Sequence, residues 1–205
     1  MPRALTLAMS VSAVGVALAS YRFVFLGWEP AFFTVTALHA PPRQAFLAAH
    51  IVLAPIALVA GAFQFFPGLR ARRPRLHRVT GRLYVGSVVL SGLAALVLAV
   101  TTEGRPVAAL GFGTLAIFWL GTTGLALRAI LAGRVEAHRR WMTRSYALTF
   151  GAVTLRLQLP LLLILYDYDY TPASLILAWS SWVPNLLVAE WLLRRPTRPA
   201  PALPA

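Results

Sequence analysis

Cysteine is missing from the 205-residue chain, lysine is missing too, and the acidic residues number only six. Without cysteine there is no thiol chemistry, no disulfide and no cysteine-ligated metal. All 19 basic residues are therefore arginine. Arginine makes bidentate anion contacts that lysine cannot, although a genome bias towards arginine, alanine and proline is the simpler cause. Charge of either sign is also scarce. It amounts to 12% of residues, with 59% hydrophobic and a mean hydropathy of +0.70, whereas soluble domains carry about 25% charged residues. The deficit points to a bilayer protein. At roughly 20 residues per span, the chain has room for six helices and no separate soluble domain. No glycine-rich phosphate loop, nucleophile elbow, His-Glu-x-x-His or nucleotide fingerprint is present.

What the sequence does have is two concentrated basic stretches. Pro67 to Val85 packs Arg70, Arg72, Arg73, Arg75, Arg78, Arg82 and His77 between long apolar runs. Each cation at a helix centre would cost about 2.5–3.5 kcal/mol on insertion scales, so this segment reads as a cytoplasmic loop. Gly133 to Leu148 echoes it. Each stretch holds a His-Arg pair, a further arginine, and a tyrosine (Tyr84 or Tyr146) about two helical turns on. A formal charge of +13 in a soluble protein would suggest nucleic acid. Here the charge follows the loops, and no nucleic-acid partner is expected.

The spans read as Leu5–Trp28, Phe46–Phe66, Leu83–Thr102, Val107–Ile130, Ser145–Tyr166 and a sixth ending near Leu193. The first also resembles a signal peptide, with Ala-Leu-Ala-Ser before Tyr21. Its apolar character runs on to Trp28, which favours an uncleaved span. An amino terminus inside places Arg3, both basic stretches and the tail in the cytoplasm. Glu29, Arg43, Glu103, Arg105, Asp167 and Asp169 then fall opposite, as the positive-inside rule requires. The expected architecture is all-α: a six-span bundle over residues 1–193, in a prokaryotic cytoplasmic membrane, with both termini cytoplasmic. Residues 194–205 read as a disordered Pro/Arg-rich tail. Gly111, Gly121 and Gly124 would permit close helix contact.

LHRVTGRLYV followed by AHRRWMTRSYALTFGAVTLRL, with the approach FQFFPGLRARRP, resembles an uncharacterised prokaryotic family of predicted membrane proteins, domain of unknown function 2306. The resemblance covers roughly His50 to Pro160. It implies a multi-helix membrane fold and brings no activity or functional residues with it.

Four histidines are available. His77 and His138 fall at the same end of the third and fifth spans, and two imidazoles from neighbouring helices can clamp one b-type haem. Arg78, Arg82, Arg139 and Arg144 would pair with the propionates. The structural alternative is that these cations bind lipid phosphates. His50 reads either as a functional group or as a helix-end hydrogen bonder, and His39 as a loop residue. Two haems are not expected. Arg156 lies deep in the fifth span, where an arginine implies a partner facing the bundle interior. Tyr146, Thr149 and Arg156 share a stripe. The partner is either Glu190, the one acid within a span, or a carbonyl-bearing or anionic ligand such as a quinone. Asp167 and Asp169 are a weak cation signal. The leading function is membrane redox, with a haem or a quinone at the His/Arg site and a redox partner. A non-catalytic lipid- or partner-binding protein is the rival, and a small-solute transporter is third. Glycine and proline interruptions of the transporter kind are not evident in the sequence.

Overall fold

The computed structural model describes residues 3–22, 41–102 and 104–195, and all regular structure among them is helical. The helices are α1 (Arg3–Ser20), α2 (Pro41–Phe63), α3 (Pro67–Arg72), α4 (Pro74–Val100), α5 (Pro106–Leu131), α6 (Val135–Thr149), α7 (Gly151–Leu165), α8 (Tyr170–Ser180) and α9 (Val183–Arg194). Proline opens α3, α4 and α5, where its missing N–H costs nothing and its fixed φ suits the first turn. Five helical stretches are long and apolar enough to cross a membrane: Arg43–Phe63, Pro74–Val100, Pro106–Leu131, Val135–Leu165 and Tyr170–Arg194. Helix α1 is a shorter apolar helix. The rest of the expected first span, residues 23–28, lies outside the described residues, as do His39, Glu29, Glu103 and the tail from residue 196.

Two boundaries differ from the sequence reading. The basic stretches are not loops, because α4 begins at Pro74 and α6 at Val135. Their arginines ride on the ends of helices that continue inward. Between α5 and α6 only Ala132, Gly133 and Arg134 intervene. Gly133 takes φ +70°, and the Gly133 and Arg134 amides donate to the Ile130 and Ala129 carbonyls at 3.0 and 2.9 Å. This paired closure is the Schellman motif, which needs a left-handed residue at that position.

The packing is that of a membrane bundle. α4 packs between α2 and α5, α5 packs on α6 and α8, and α1 lies on α2 and α7. Leu90, Leu93, Leu110, Ile117, Leu157, Leu161 and Leu187 face outward. Buried positions instead hold alanines, the aromatics Tyr84, Trp119, Tyr146 and Trp182, and hydroxyls such as Ser87, Ser91, Thr123, Ser145 and Thr149. Lipid tails are as apolar as leucine, so small residues and hydrogen bonds hold such helices together. Of the three glycines expected to allow close contact, only Gly111 does so. A Cβ there would stand 2.8 Å from the Ala178 carbonyl oxygen on α8, whereas Gly121 and Gly124 face open space. The chain is a multi-pass membrane protein by length, composition and packing.

Candidate functional site

His77 and His138 are each the fourth residue of their helix, α4 and α6, at the basic end of the bundle. The tight turn after α5 carries the His138 ring back onto that helix, where Nδ1 lies 2.9 Å from the Ala126 carbonyl oxygen. A carbonyl only accepts, so Nδ1 carries a proton, and in the neutral ring Nε2 then has the lone pair. His77 lies within electrostatic reach of both His138 and Arg70. Its Nδ1 is shielded from solvent and has no hydrogen-bond partner among the described residues. The two histidines thus lie within electrostatic reach of each other, and both are half-buried. No cluster of three histidine or acidic side chains suited to a metal ion occurs among the described residues.

The arginines divide. Arg78 and Arg82 are exposed on α4. Arg139 is exposed and paired with Glu136 one turn away at 2.9 Å. Arg144 stacks 4.7 Å from the Trp141 ring centroid and grips Glu190 of α9 with two N–H donors, Nη2 at 2.9 Å from Oε2. Glu190 therefore pairs with Arg144 and not with Arg156. The reason is depth, since Arg144 and Glu190 both lie near the basic end. Arg139 and Arg144 are accordingly committed to protein partners.

The two tyrosines turn inward beneath the histidines. The Tyr84 hydroxyl, fully buried, sits 2.6 Å from Ser145 Oγ and 2.8 Å from Thr149 Oγ1. Trp119 donates its indole N–H to Thr149 Oγ1 at 2.8 Å, and Thr123 Oγ1 lies 2.7 Å from both Ser145 Oγ and the Trp119 carbonyl oxygen. The ring binds α4, α5 and α6. Thr149 Oγ1 also lies 2.9 Å from the Ser145 carbonyl oxygen, so four hydroxyl protons are shared among five contacts. Tyr146 donates to the Leu58 carbonyl oxygen of α2 at 3.2 Å. Gly61 of α2 makes room for both rings: a Cβ there would stand 2.7 Å or less from Tyr84 and Tyr146. Sequence reading passed over Gly61, Ser145, Thr123 and Trp119. Their only signal is that Ser145 and Thr149 continue the His138 stripe at seven and eleven residues.

Arg156 sits on α7 towards the other end. Its hydrogen bond goes to the Ala152 carbonyl oxygen at 3.2 Å, one turn back, and no acid among the described residues pairs with it. Arg22, His50 and Tyr170 lie within electrostatic reach. His50 of α2 meets Ser91 of α4, with Nδ1 3.1 Å from its carbonyl oxygen and 2.9 Å from Oγ. Asp169 caps α8 by accepting from the Thr171 amide at 2.8 Å, which is ordinary helix-start chemistry.

A further feature went unseen in the sequence. The last two of the five candidate spans are each interrupted, at Phe150 and at Ser181–Trp182, and the interruptions touch. A Cβ on Gly151 would lie 3.3 Å from the Ser181 carbonyl oxygen and from Trp182 Cβ. Around them Thr154 bonds Asn185, and Gln158 bonds Ser180 at 2.7 Å.

No curated protein and no solved structure matches this chain. The family described as "Predicted membrane protein (DUF2306)" matches residues 47–193. Both His-Arg motifs, the buried ring, Arg156 and Glu190 all fall inside that range, and the chain belongs to this family of predicted membrane proteins.

Proposed function

We propose that the chain crosses the membrane six times with both termini cytoplasmic, and that it is a membrane redox protein holding one b-type haem between His77 and His138. The observation that carries this reading is the His138 ring. Its Nδ1–H is anchored on the Ala126 carbonyl, as ligating histidines are commonly fixed by a second hydrogen bond, and Nε2 is left with its lone pair. His77 stands within electrostatic reach, with an unsatisfied Nδ1. Two neutral imidazoles suit an iron whose remaining ligands come from a porphyrin, and a bound haem supplies one-electron transfer. With Arg139 and Arg144 engaged elsewhere, Arg78 and Arg82 remain of the four arginines expected to meet propionates, and Arg70 lies within electrostatic reach of His77. The positive-inside rule supports the orientation, since the exposed arginines of α3, α4, α6 and α9 gather at one end.

The test is the visible spectrum of purified protein before and after dithionite. A Soret band that shifts on reduction, and is lost in His138→Ala and in His77→Ala, is the expected result. A colourless protein that remains folded overturns the haem reading. It would favour the rival, a lipid- or partner-binding protein, for which the exposed arginines and the structural Arg144–Glu190 pair are the supporting observations.

A further inference from the structure

The arginines of α3 and the start of α4 go uncompensated within the described residues. Arg70, Arg72, Arg73, Arg75, Arg78 and Arg82 are exposed, and the two ion pairs among the described residues involve neither helix. The first turn of α4 holds no acid and its N-cap makes no side-chain hydrogen bond, so the free amides there add to the positive field. Between the helices Arg73 leaves helical geometry, at φ −135° and ψ 65°. At that elbow an open groove of about 490 Å³ is lined by Arg72, Arg73, Pro74, Arg75 and Leu76. Three arginines in five residues thus border one concavity. The span Pro74–Val100 has 27 residues, or about 40 Å, the thickness of a bilayer with its headgroups. Its first turn, and the groove with it, therefore stands at headgroup level.

Beyond the groove, the outward side of α4 turns apolar. Leu76, Val79, Leu83, Leu90 and Leu93 are all exposed and recur at the three-, four- and seven-residue spacing of one helical stripe. Gly86 falls in the same stripe and meets nothing within 4 Å. The buried face, with Tyr84, Ser87, Val88 and Ser91, points the other way. From Leu76 to Leu93 the stripe runs about 25 Å, more than the roughly 15 Å of hydrocarbon in one leaflet. A cationic groove that opens onto an apolar stripe discriminates among ligands. Free phosphate or a soluble acidic peptide would use the cations alone, and a zwitterionic phospholipid brings no net charge to them. We propose that the α3–α4 elbow holds an anionic phospholipid, its phosphate in the Arg72–Arg75 groove and an acyl chain along the α4 stripe. The site uses none of the groups assigned to haem and stands without that reading.

The test is native mass spectrometry of the delipidated full chain, titrated with phosphatidylglycerol or with phosphatidylcholine of the same acyl chains. His138→Ala is measured alongside wild type, so that loss of haem and loss of lipid are read separately. Saturable binding by both proteins is expected, with phosphatidylglycerol preferred by about tenfold or more. Each arginine beside an anionic lipid is worth about a factor of five in affinity, so Arg72→Gln/Arg73→Gln/Arg75→Gln should weaken binding on the order of a hundredfold. Arg128→Gln/Arg134→Gln/Arg140→Gln removes the same charge from exposed positions at the same end of the bundle. It should cost less than about fivefold, because exposed charges away from the bound phosphate are screened by salt. Excess glycerol 3-phosphate, which has the charge and no tails, should not displace the lipid. Equal binding of the two lipids, equal losses in the two triple variants, or displacement by glycerol 3-phosphate overturns the proposal. If the Arg72/Arg73/Arg75 variant fails to fold, the three single substitutions replace it, each expected to cost about fivefold, and no loss in any of them is likewise fatal.

Discussion

Removing a single oxygen atom probes the buried ring most directly. Tyr84→Phe leaves Ser145 and Thr149 without their shared partner, and hydrogen bonds between membrane helices contribute about 0.6–2 kcal/mol. We expect Tyr84→Phe to lower stability by roughly 1–2 kcal/mol in detergent unfolding, and unchanged stability would show the ring to be dispensable. The same assay separates Arg144 of α6 from Arg156 of α7. Arg144 and Glu190 have side chains 16% and 29% exposed, so solvent screens the pair and its coupling should be about 1 kcal/mol. Arg144→Leu destabilises because Glu190 is left uncompensated, and Arg144→Leu/Glu190→Gln recovers most of the loss. Arg156→Leu and Glu190→Gln should simply add, since the two do not touch; coupling between them would contradict the geometry. At this scale the sequence was partly legible. Histidine and arginine stand out against apolar runs, so the motifs were visible. The partners of those residues were not, because which arginine meets Glu190 depends on helix depth. Serine and threonine in an apolar helix look alike whether they face lipid or a neighbour.

Helix contacts place a second prediction on glycine. Gly61→Ala forces a methyl group into the Tyr84 and Tyr146 rings, and overpacking of this kind costs about 1–3 kcal/mol. Gly121→Ala and Gly124→Ala meet nothing within 4 Å and should be neutral or gain up to about 1 kcal/mol of helix propensity. Thermal unfolding of the three variants checks the order, and equal effects would mean that α2 does not close on the tyrosines as described. The elements themselves were largely readable, because apolar length and opening prolines mark each span. Their starts were misjudged in one direction. Charge was taken to end a helix, whereas a charged turn outside hydrocarbon costs a helix nothing, and α4 and α6 extend through it. The interruptions at Phe150 and Ser181 were missed because Gly151 and Pro184 each look unexceptional until the two spans are set side by side.

For the whole molecule, the prediction concerns sidedness. New cysteines at Ala71 and Gly104, in a chain that has none of its own, should be labelled by a membrane-impermeant reagent from opposite sides of the membrane. Labelling of both from one side would overturn the six-span orientation. The fold class was legible because bilayer solvation imposes it on composition directly. The site was legible only as a pair of motifs. Nothing in their spacing told that His138 would fold back onto the Ala126 carbonyl while His50 bonded Ser91 across α2 and α4.

The touching interruptions have a mechanical consequence. α7, the Tyr166–Asp169 turn and α8 form a hairpin whose two feet are breaks in the helical hydrogen bonding, in contact through Gly151 and Ser181. Helices bend where their regular hydrogen bonding is broken, so a tilt of this hairpin would hinge on both feet together. Arg156 is carried by the hairpin, whereas His138, Arg144 and Glu190 lie outside it. Such a tilt would move Arg156 without disturbing the Arg144–Glu190 pair. Spin labels at Asp167 and Gly104 should report a broad distance distribution if the hairpin tilts on its feet and a narrow one if it is held fixed.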